Sequence, residues 1–305
     1  MELSGKLPNE IDLFEATLET ARLPGDPDDA PFADYLAALF SKHRPDLIIT
    51  VAAPAAAFVQ RHRQRLFPNT PLLLTGLEQR RYTPSLSSTE IAVPTKIDLF
   101  AAVGNILQVL PKTDHIAVVL GASPLERYWK EQIRSAVEPL NDRVSFIWFN
   151  DLSFDEMLQR ISTLPPRSAV FFGVLTVDAK GVPLIDGQVF SRFSKVSNAP
   201  MFSYEDTYFG RGLVGGPMLS VSDISRRTID AAVRILAGAE PSSFKTEGVG
   251  FASPKFDWRE LQRWDIQEAD LPAGAQVEFR EPSFWRQHRG TAIAVAAIVL
   301  FQALM

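Results

Sequence analysis

The stretch HIAVVLGASPLERYWKEQIRSAV, residues 115–137, sets the reading of the whole chain. Its first six residues after His115 are apolar or small and show no alternation. That is the pattern of a parallel strand covered on both faces. Gly121, Ala122, Ser123 and Pro124 then break the run, as a tight turn requires. Beyond them Leu125, Trp129, Ile133 and Val137 recur every fourth residue and share one face of a helix. The stretch is therefore one strand–turn–helix unit, and the question is whether it repeats.

It repeats in both directions. Upstream, PFADYLAALFSKH (31–43) has helical spacing, with Phe32, Leu36, Leu39 and Phe40 on one side. DLIITVAAP (46–54) is a short β-branched run, AAAFVQRHRQRLF a helix, and TPLLLTGL (70–77) a strand. EIAVPTK is a short extended piece, and DLFAAVGNILQVLP (98–111) is a helix closed by Pro111. The first stretch with strand character, IDLFEATLET (11–20), is read from its period of two. Downstream, RVSFIWFN is a strand, and SFDEMLQRISTLP is a helix opened by a Ser153/Glu156 capping box and stopped at Pro165. SAVFFGVLTVD (168–178) is a strand, GQVFSRFSKVSN a helix and APMFSYEDTYF a strand. DISRRTIDAAVRILAGAEP (223–241) is a helix with Asp223 as N-cap and Gly238 near its C-terminal end. Alternating units of this kind specify an α/β fold with parallel sheets flanked by helices. The run restarts near 111–115, which divides it into two sheets.

Composition narrows the function classes. The 305 residues are 46% hydrophobic and 22% charged, enough for a core in each of two lobes. A net charge of −5 offers no basic face for nucleic acid. There is no cysteine, which removes disulfides, thiol catalysis and cysteine-ligated zinc. His43, His62, His115 and His288 stand in no ligand spacing, so neither metal nor cofactor is expected. The sequence carries no nucleophile elbow, Ser/His/Asp set or paired-carboxylate motif, and no catalytic residue is assigned.

In doubly wound sheets, ligands lie beyond the carboxyl ends of the strands. Those ends hold Ala53 and Pro54, then Thr75, Gly76 and Glu78, then Ser123 with Tyr128 in the following helix, then Thr176. The stretch YEDTY adds Tyr204, Glu205, Asp206 and Tyr208. Ser123 and the amides behind it stand at a helix start, a geometry that favours an anionic group, although a plain N-cap accounts for the same residue. Glu205 or Asp206 could accept from an amine or hydroxyl, with Tyr204 or Tyr208 as a stacking wall. The competing reading is a solvated loop with one aromatic in the core, because alternation prevents all five residues from facing one way.

LGASPLERYW and, above all, APMFSYEDTYFGRGLVGGPMLSVSDISRRTIDAAVRILAGAEP resemble the type 1 periplasmic-binding-protein-like fold. The resemblance is to the substrate-binding proteins of ABC transporters related to tryptophan-binding lipoproteins. The tail FDWRELQRWDIQEADLPAGAQVEFREPSFWRQHRG, followed by an apolar run, is similar to the sensor ectodomain of bacterial membrane-bound sensor histidine kinases. The resemblance implies a two-lobed clamp binding a small molecule, such as an amino acid or an aromatic acid, between its lobes. It places 1–112 with about 218–250 in the first lobe and 113–217 with about 251–270 in the second. Residues 271–289 become a juxtamembrane linker and 290–305 the start of a transmembrane helix. It also implies that the first lobe lacks an initial strand and helix, leaving an open slot in its sheet. Gly212, Gly215 and Gly216 in GRGLVGGP are read as hinge residues, with a turn plus strand bulge as the alternative.

GTAIAVAAIVLFQALM (290–305) has no charge and no polar face. Sixteen helical residues span about 24 Å against roughly 30 Å of hydrocarbon, so a membrane helix would continue further. Trp285 would stand at the interface. Arg280, Arg286 and Arg289 precede the run and by the positive-inside rule oppose an external location for that flank. A C-terminal core helix is the competing reading of the run. The expectation is an inner-membrane protein with 1–289 on the periplasmic side, homodimeric as kinases are, with catalysis beyond Met305. The alternatives are the solute-binding component of an ABC importer and a cytosolic enzyme on a doubly wound fold.

Overall fold

In the computed structural model, residues 11–18, 29–81, 87–184 and 186–280 are described. The first lobe opens with α1 (Ala30–Leu39), β1 (Ile48–Val51), α2 (Ala52–Arg61), the single turn α3 (Arg63–Leu66), β2 (Leu72–Glu78) and β3 (Glu90–Thr95). Then follow α4 (Leu99–Val109), β4 (His115–Val119), α5 (Pro124–Val137), β5 (Ser145–Trp148), α6 (Phe154–Ile161), β6 (Ser168–Phe172), α7 (Asp186–Val196) and β7 (Met201–Ser203). The chain continues through β8 (Gly215–Gly216), α8 (Val221–Leu236), β9 (Lys255–Asp257), α9 (Trp258–Arg263) and β10 (Gln276–Glu278).

Two parallel sheets carry the architecture, in the orders β1-β2-β3 and β5-β4-β6-β7. Alternation sorts their side chains by face. In the first sheet Leu72, Leu74 and Ala92 pack under α1 and α2, while Leu73, Ile91 and Val93 pack under Ala231, Ala232 and Ile235 of α8. In the second, Ile116, Val118 and Phe171 face α4 and α5, and Ala117, Val119, Val170 and Phe172 face α6 and α7. The β8–β10 sheet is small and mixed, and its Phe256 is buried in the same cluster as α4 and α5.

Several expectations are corrected. Residues 11–18 form no strand, and 19–20 lie outside the described residues. A period of two gives a strand only where a neighbour supplies a ladder. Here Phe14 instead packs edge-on against Phe40 at 5.2 Å, and Leu13 is 70% exposed. No described strand pairs with the other edge of β1, and Ile49 is 37% and Val51 68% exposed. Helix α4, grouped above with 1–112, contributes Leu99, Val103, Ile106 and Val109 to the core of the second sheet. β6 ends at Phe172, well short of residue 178; at Gly173, which follows it, an added Cβ would lie 2.5 Å from the Leu120 side chain. Ser220, not Asp223, caps α8, accepting from the Asp223 amide. Gly238 does stand just past that helix with φ +94°. The Ser153/Glu156 capping box is formed, and its hydrogen bonds from the Ser153 hydroxyl and amide hold the Glu156 carboxyl below the usual range.

Residues 271–280, assigned to a linker, are tied to the second lobe: Leu271, Ala275 and Val277 pack on its core and β10 pairs with β9. Residues 290–305 lie outside the described residues. Among those described, no helix is long and apolar enough to cross a membrane.

Candidate functional site

Three segments cross between the lobes side by side. Thr95 bridges Val249 in parallel, Leu219 bridges Phe251 antiparallel, and Glu205 bridges Leu219 in parallel. Backbone bonds lock them together: Lys96 N–H to Val249 O and Val249 N–H to Pro94 O, both 2.8 Å, and Leu219 N–H to Tyr204 O, also 2.8 Å. The carboxyl end of β3 leads into this hinge from the first sheet, and that of β7 leads into it from the second. Both sheets therefore turn their carboxyl ends toward the hinge, which is where a ligand cleft belongs.

The first-lobe rim is backbone-rich. Ala53 and Pro54 form the first turn of α2 and are half-buried. Ala52 before them has φ +66°, an uncommon conformation for a residue with a Cβ. Across from it, Gly76 has φ +63°, and a Cβ there would stand 3.7 Å from the Ala52 nitrogen. The register of β2 against β3 slips between Thr75 and Leu77, so the strand kinks where it reaches the cleft. Thr75 is not free for a ligand, because its hydroxyl is buried 2.6 Å from the Thr228 hydroxyl of α8. Glu78 is likewise buried and accepts from the amide and Nε of Arg80, both at 2.9 Å.

The second-lobe rim is organised by a residue the sequence reading passed over. Glu126 is 0% exposed. Its carboxylate accepts from Ser123 N–H at 2.7 Å, from the Thr176 hydroxyl at 2.9 Å and from Thr176 N–H. Ser123 in return accepts from the Glu126 amide, completing a capping box. The anion-favouring start of α5 is thus already filled by the protein's own carboxylate, so of the two readings of Ser123 the structure shows the N-cap and not the anion site. Gly121 makes room for it: an added Cβ would lie 2.4 Å from three carboxylate atoms. The signal was present, since Ser123-Pro-Leu-Glu126 has the same spacing as the box recognised at Ser153. Asp178 does similar work beside it, accepting from the amides of Phe154, Lys180 and Val182. Tyr128 is half-buried with its ring 5.5 Å from that of Trp129.

In YEDTY the two tyrosines go to opposite cores. Tyr204 is buried with its ring 6.0 Å from Trp129 and 6.1 Å from Phe171. Burial, then the nearby Glu205, pushes its hydroxyl well above the ordinary phenol range. Tyr208 stacks on Phe190 at 4.5 Å in the other cluster. Neither is a stacking wall for a ligand. Glu205 and Asp206 remain half-buried at the hinge, and Asp206 accepts from Val221 N–H at 3.1 Å.

The glycines read as hinge residues lie elsewhere. Gly215 and Gly216 form β8, buried, with φ +126° and +133°. A Cβ on Gly215 would meet Lys255 O at 2.0 Å, and one on Gly216 would meet the Asn105 side chain at 2.8 Å. They are glycines because another backbone and α4 press on them. Gly212 (φ +105°) packs against Ser194. No group of three metal-ligating side chains occurs among the described residues.

Comparison with solved structures places the fold. A ligand-free, open substrate-binding protein with adhesive properties from Clostridium difficile aligns with a TM-score of 0.56 and 16% identity, over 83% of this chain and 84% of its own. An ABC domain in complex with L-Trp from Streptococcus pneumonia aligns with a TM-score of 0.59 and 17% identity, over 82% and 84%. A conserved domain protein from Vibrio cholerae gives 0.59 and 18%, over 81% and 83%. The fold is that of periplasmic solute-binding proteins. No protein-family model and no curated protein matches the chain. Ala53, Pro54, Gly76, Ser123, Thr176, Glu205 and Asp206 are half-buried at or just beyond the carboxyl ends of the strands.

Proposed function

We propose that this chain binds a small molecule between its lobes, as the extracytoplasmic sensing domain of a membrane-bound sensor histidine kinase. The observation that carries the reading is the attachment of the tail. Phe256, Leu261 and Ile266 are buried in the second-lobe core, so the segment leading to 290–305 moves with that lobe rather than with the hinge. Closure of the first lobe on a ligand would then turn one lobe against a body fixed to the tail. A ligand biases such a switch only by its differential affinity for the open and closed forms. The uncharged run 290–305 supplies the membrane anchor, with 1–289 on the periplasmic side and a homodimer as the signalling unit. The cleft takes an amino acid or an aromatic acid: it offers backbone groups, with the carboxylates Glu205 and Asp206 for an amine.

The importer reading keeps the same cleft, and the description of the Clostridium difficile neighbour as a substrate-binding protein favours it. Two measurements separate the possibilities. A thermal-shift screen against amino acids and aromatic acids should find a compound that raises the melting temperature, by about 2.7 kcal/mol of linkage at a hundredfold excess over Kd. Absence of any shift would count against cleft binding. Alkaline carbonate extraction of membranes should leave the chain in the pellet and release a variant lacking 290–305. Full release of the intact chain would remove the sensor reading and leave the binding protein.

A further inference from the structure

We infer that the hinge carries a second small-molecule site, separate from the cleft, that takes an aromatic carboxylate. A shallow depression of about 840 Å³, open to solvent, lies beside the crossing segments. Its walls come from the end of β2 (Glu78 to Arg80), from the first crossover and the start of α4 (Lys96 to Ala101), from Ala136 of α5, and from Gly250 and Phe251 of the third crossover. Of the residues read as cleft-lining only Glu78 reaches it, and none from the carboxyl ends of β1, β4, β6 or β7 does.

The lining is amphipathic in a directed way. Phe100, 48% exposed, and the half-buried Phe251 and Ile97 offer an apolar surface that nothing in the described chain covers. Of the four charged side chains around it, three are committed. Arg80 is held by both the Glu78 carboxylate and Ile97 O, and Asp98 accepts from Ala101 N–H as the N-cap of α4. Lys96 has no ion pair or side-chain hydrogen bond among the described residues, and its stem lies over Gly248. The α4 helix start adds nothing for an anion, since Asp98 already caps it. One uncommitted ammonium beside the exposed Phe100 ring and the half-buried Phe251 suits a carboxylate carried on an aromatic ring. Because the walls come from two crossing segments, an occupant bears on the backbone that lobe closure must bend. The cleft reading is not needed for this site.

The experiment is calorimetric titration of the 305-residue chain with phenylacetate and with phenylacetamide, its uncharged isostere. Phenylacetate should bind saturably with a Kd on the order of 1 mM for a ligand of this size, and the amide about fivefold more weakly. Lys96→Gln should bring phenylacetate down to the level of the amide. Gly250→Leu should abolish both with an unchanged melting temperature, because a Cβ at that position meets nothing within 4 Å and fills open space. Glu205→Gln, in the cleft, should leave both affinities unchanged. The site is refuted if phenylacetate shows no saturable binding, if Lys96→Gln and Gly250→Leu leave it intact, or if Glu205→Gln removes it, since the last result puts the compound in the cleft.

Discussion

Replacing Glu126 by Gln tests how the second-lobe rim is held together. The amide fills the same space but presents one NH2 where the carboxylate presented only acceptors. Turned toward Ser123, that NH2 opposes an N–H donor previously 2.7 Å from an oxygen; turned toward Thr176, it opposes an N–H and loses the choice of acceptor for the hydroxyl. The first orientation loses less. It leaves one buried N–H without a partner and weakens the remaining bonds by removing the charge, for about 2–3 kcal/mol in total. For a chain of this size the melting temperature should fall by roughly 3–5 °C. Glu126→Ala loses all three bonds and opens a void, and should cost more. Gly121→Ala should reproduce much of the defect from the other side, at about 1–3 kcal/mol, because its methyl displaces the carboxylate. Calorimetry gives the stability, and hydrogen exchange at the Ser123 and Thr176 amides gives its location. Glu126→Gln that melts within a degree of the parent, with unaltered exchange at Thr176, would refute the assignment of this carboxylate as the rim's fastening.

Three further perturbations follow from the same geometry. Gly215→Ala combines φ +126° with a contact of 2.0 Å to Lys255 O and should cost about 3–5 kcal/mol, read as a loss of soluble folded protein and a lowered urea midpoint. The raised pKa of Tyr204 makes stability fall with alkali: above pH 10 the unfolded chain gives up the phenolic proton while the folded one retains it, a loss of about 1.4 kcal/mol per pH unit. Tyr204→Phe should flatten urea-midpoint profiles by that slope above pH 10 and leave them unchanged below pH 9. Ile49→Lys with Val51→Lys charges β1, the edge strand among the described residues, at its two exposed positions. It should suppress concentration-dependent association in analytical ultracentrifugation with a change in stability under about 0.5 kcal/mol.

The fold was legible where a segment's pattern and its neighbours agree. The buried run 115–120 and the stripe through Trp129, Ile133 and Val137 form the strand and helix their spacing specifies, because both faces of β4 and one face of α5 find cores. The period-two stretch at 11–18 had the pattern without a ladder partner. Helix α4 was legible as a helix but not as a part of the second lobe, because an apolar stripe does not name the sheet it will cover. At the candidate site, alternation rightly limited how many residues of YEDTY could face the cleft, yet which ones turned inward depended on Phe171, Trp129 and Phe190, distant in sequence. The glycines 215 and 216 looked like freedom and proved to be clearance, a distinction that rests on Lys255 and Asn105. Glu126 was within reach from its capping-box spacing alone, but its bonds to Thr176 span 50 residues and belong to the fold.

A ligand that closes one lobe on the other is the central claim, and the absence of cysteine allows it to be measured directly. Spin labels on Ser41→Cys, in the first lobe, and Glu131→Cys, on α5 of the second, report one interlobe distance without background. The titrant is the compound that raises the melting temperature most in the amino-acid and aromatic-acid screen and still binds Gly250→Leu, applied to chains with Gly250 intact. Closure predicts that the distance distribution shifts to shorter values and narrows in proportion to occupancy. Saturating binding with an unchanged distribution would contradict it.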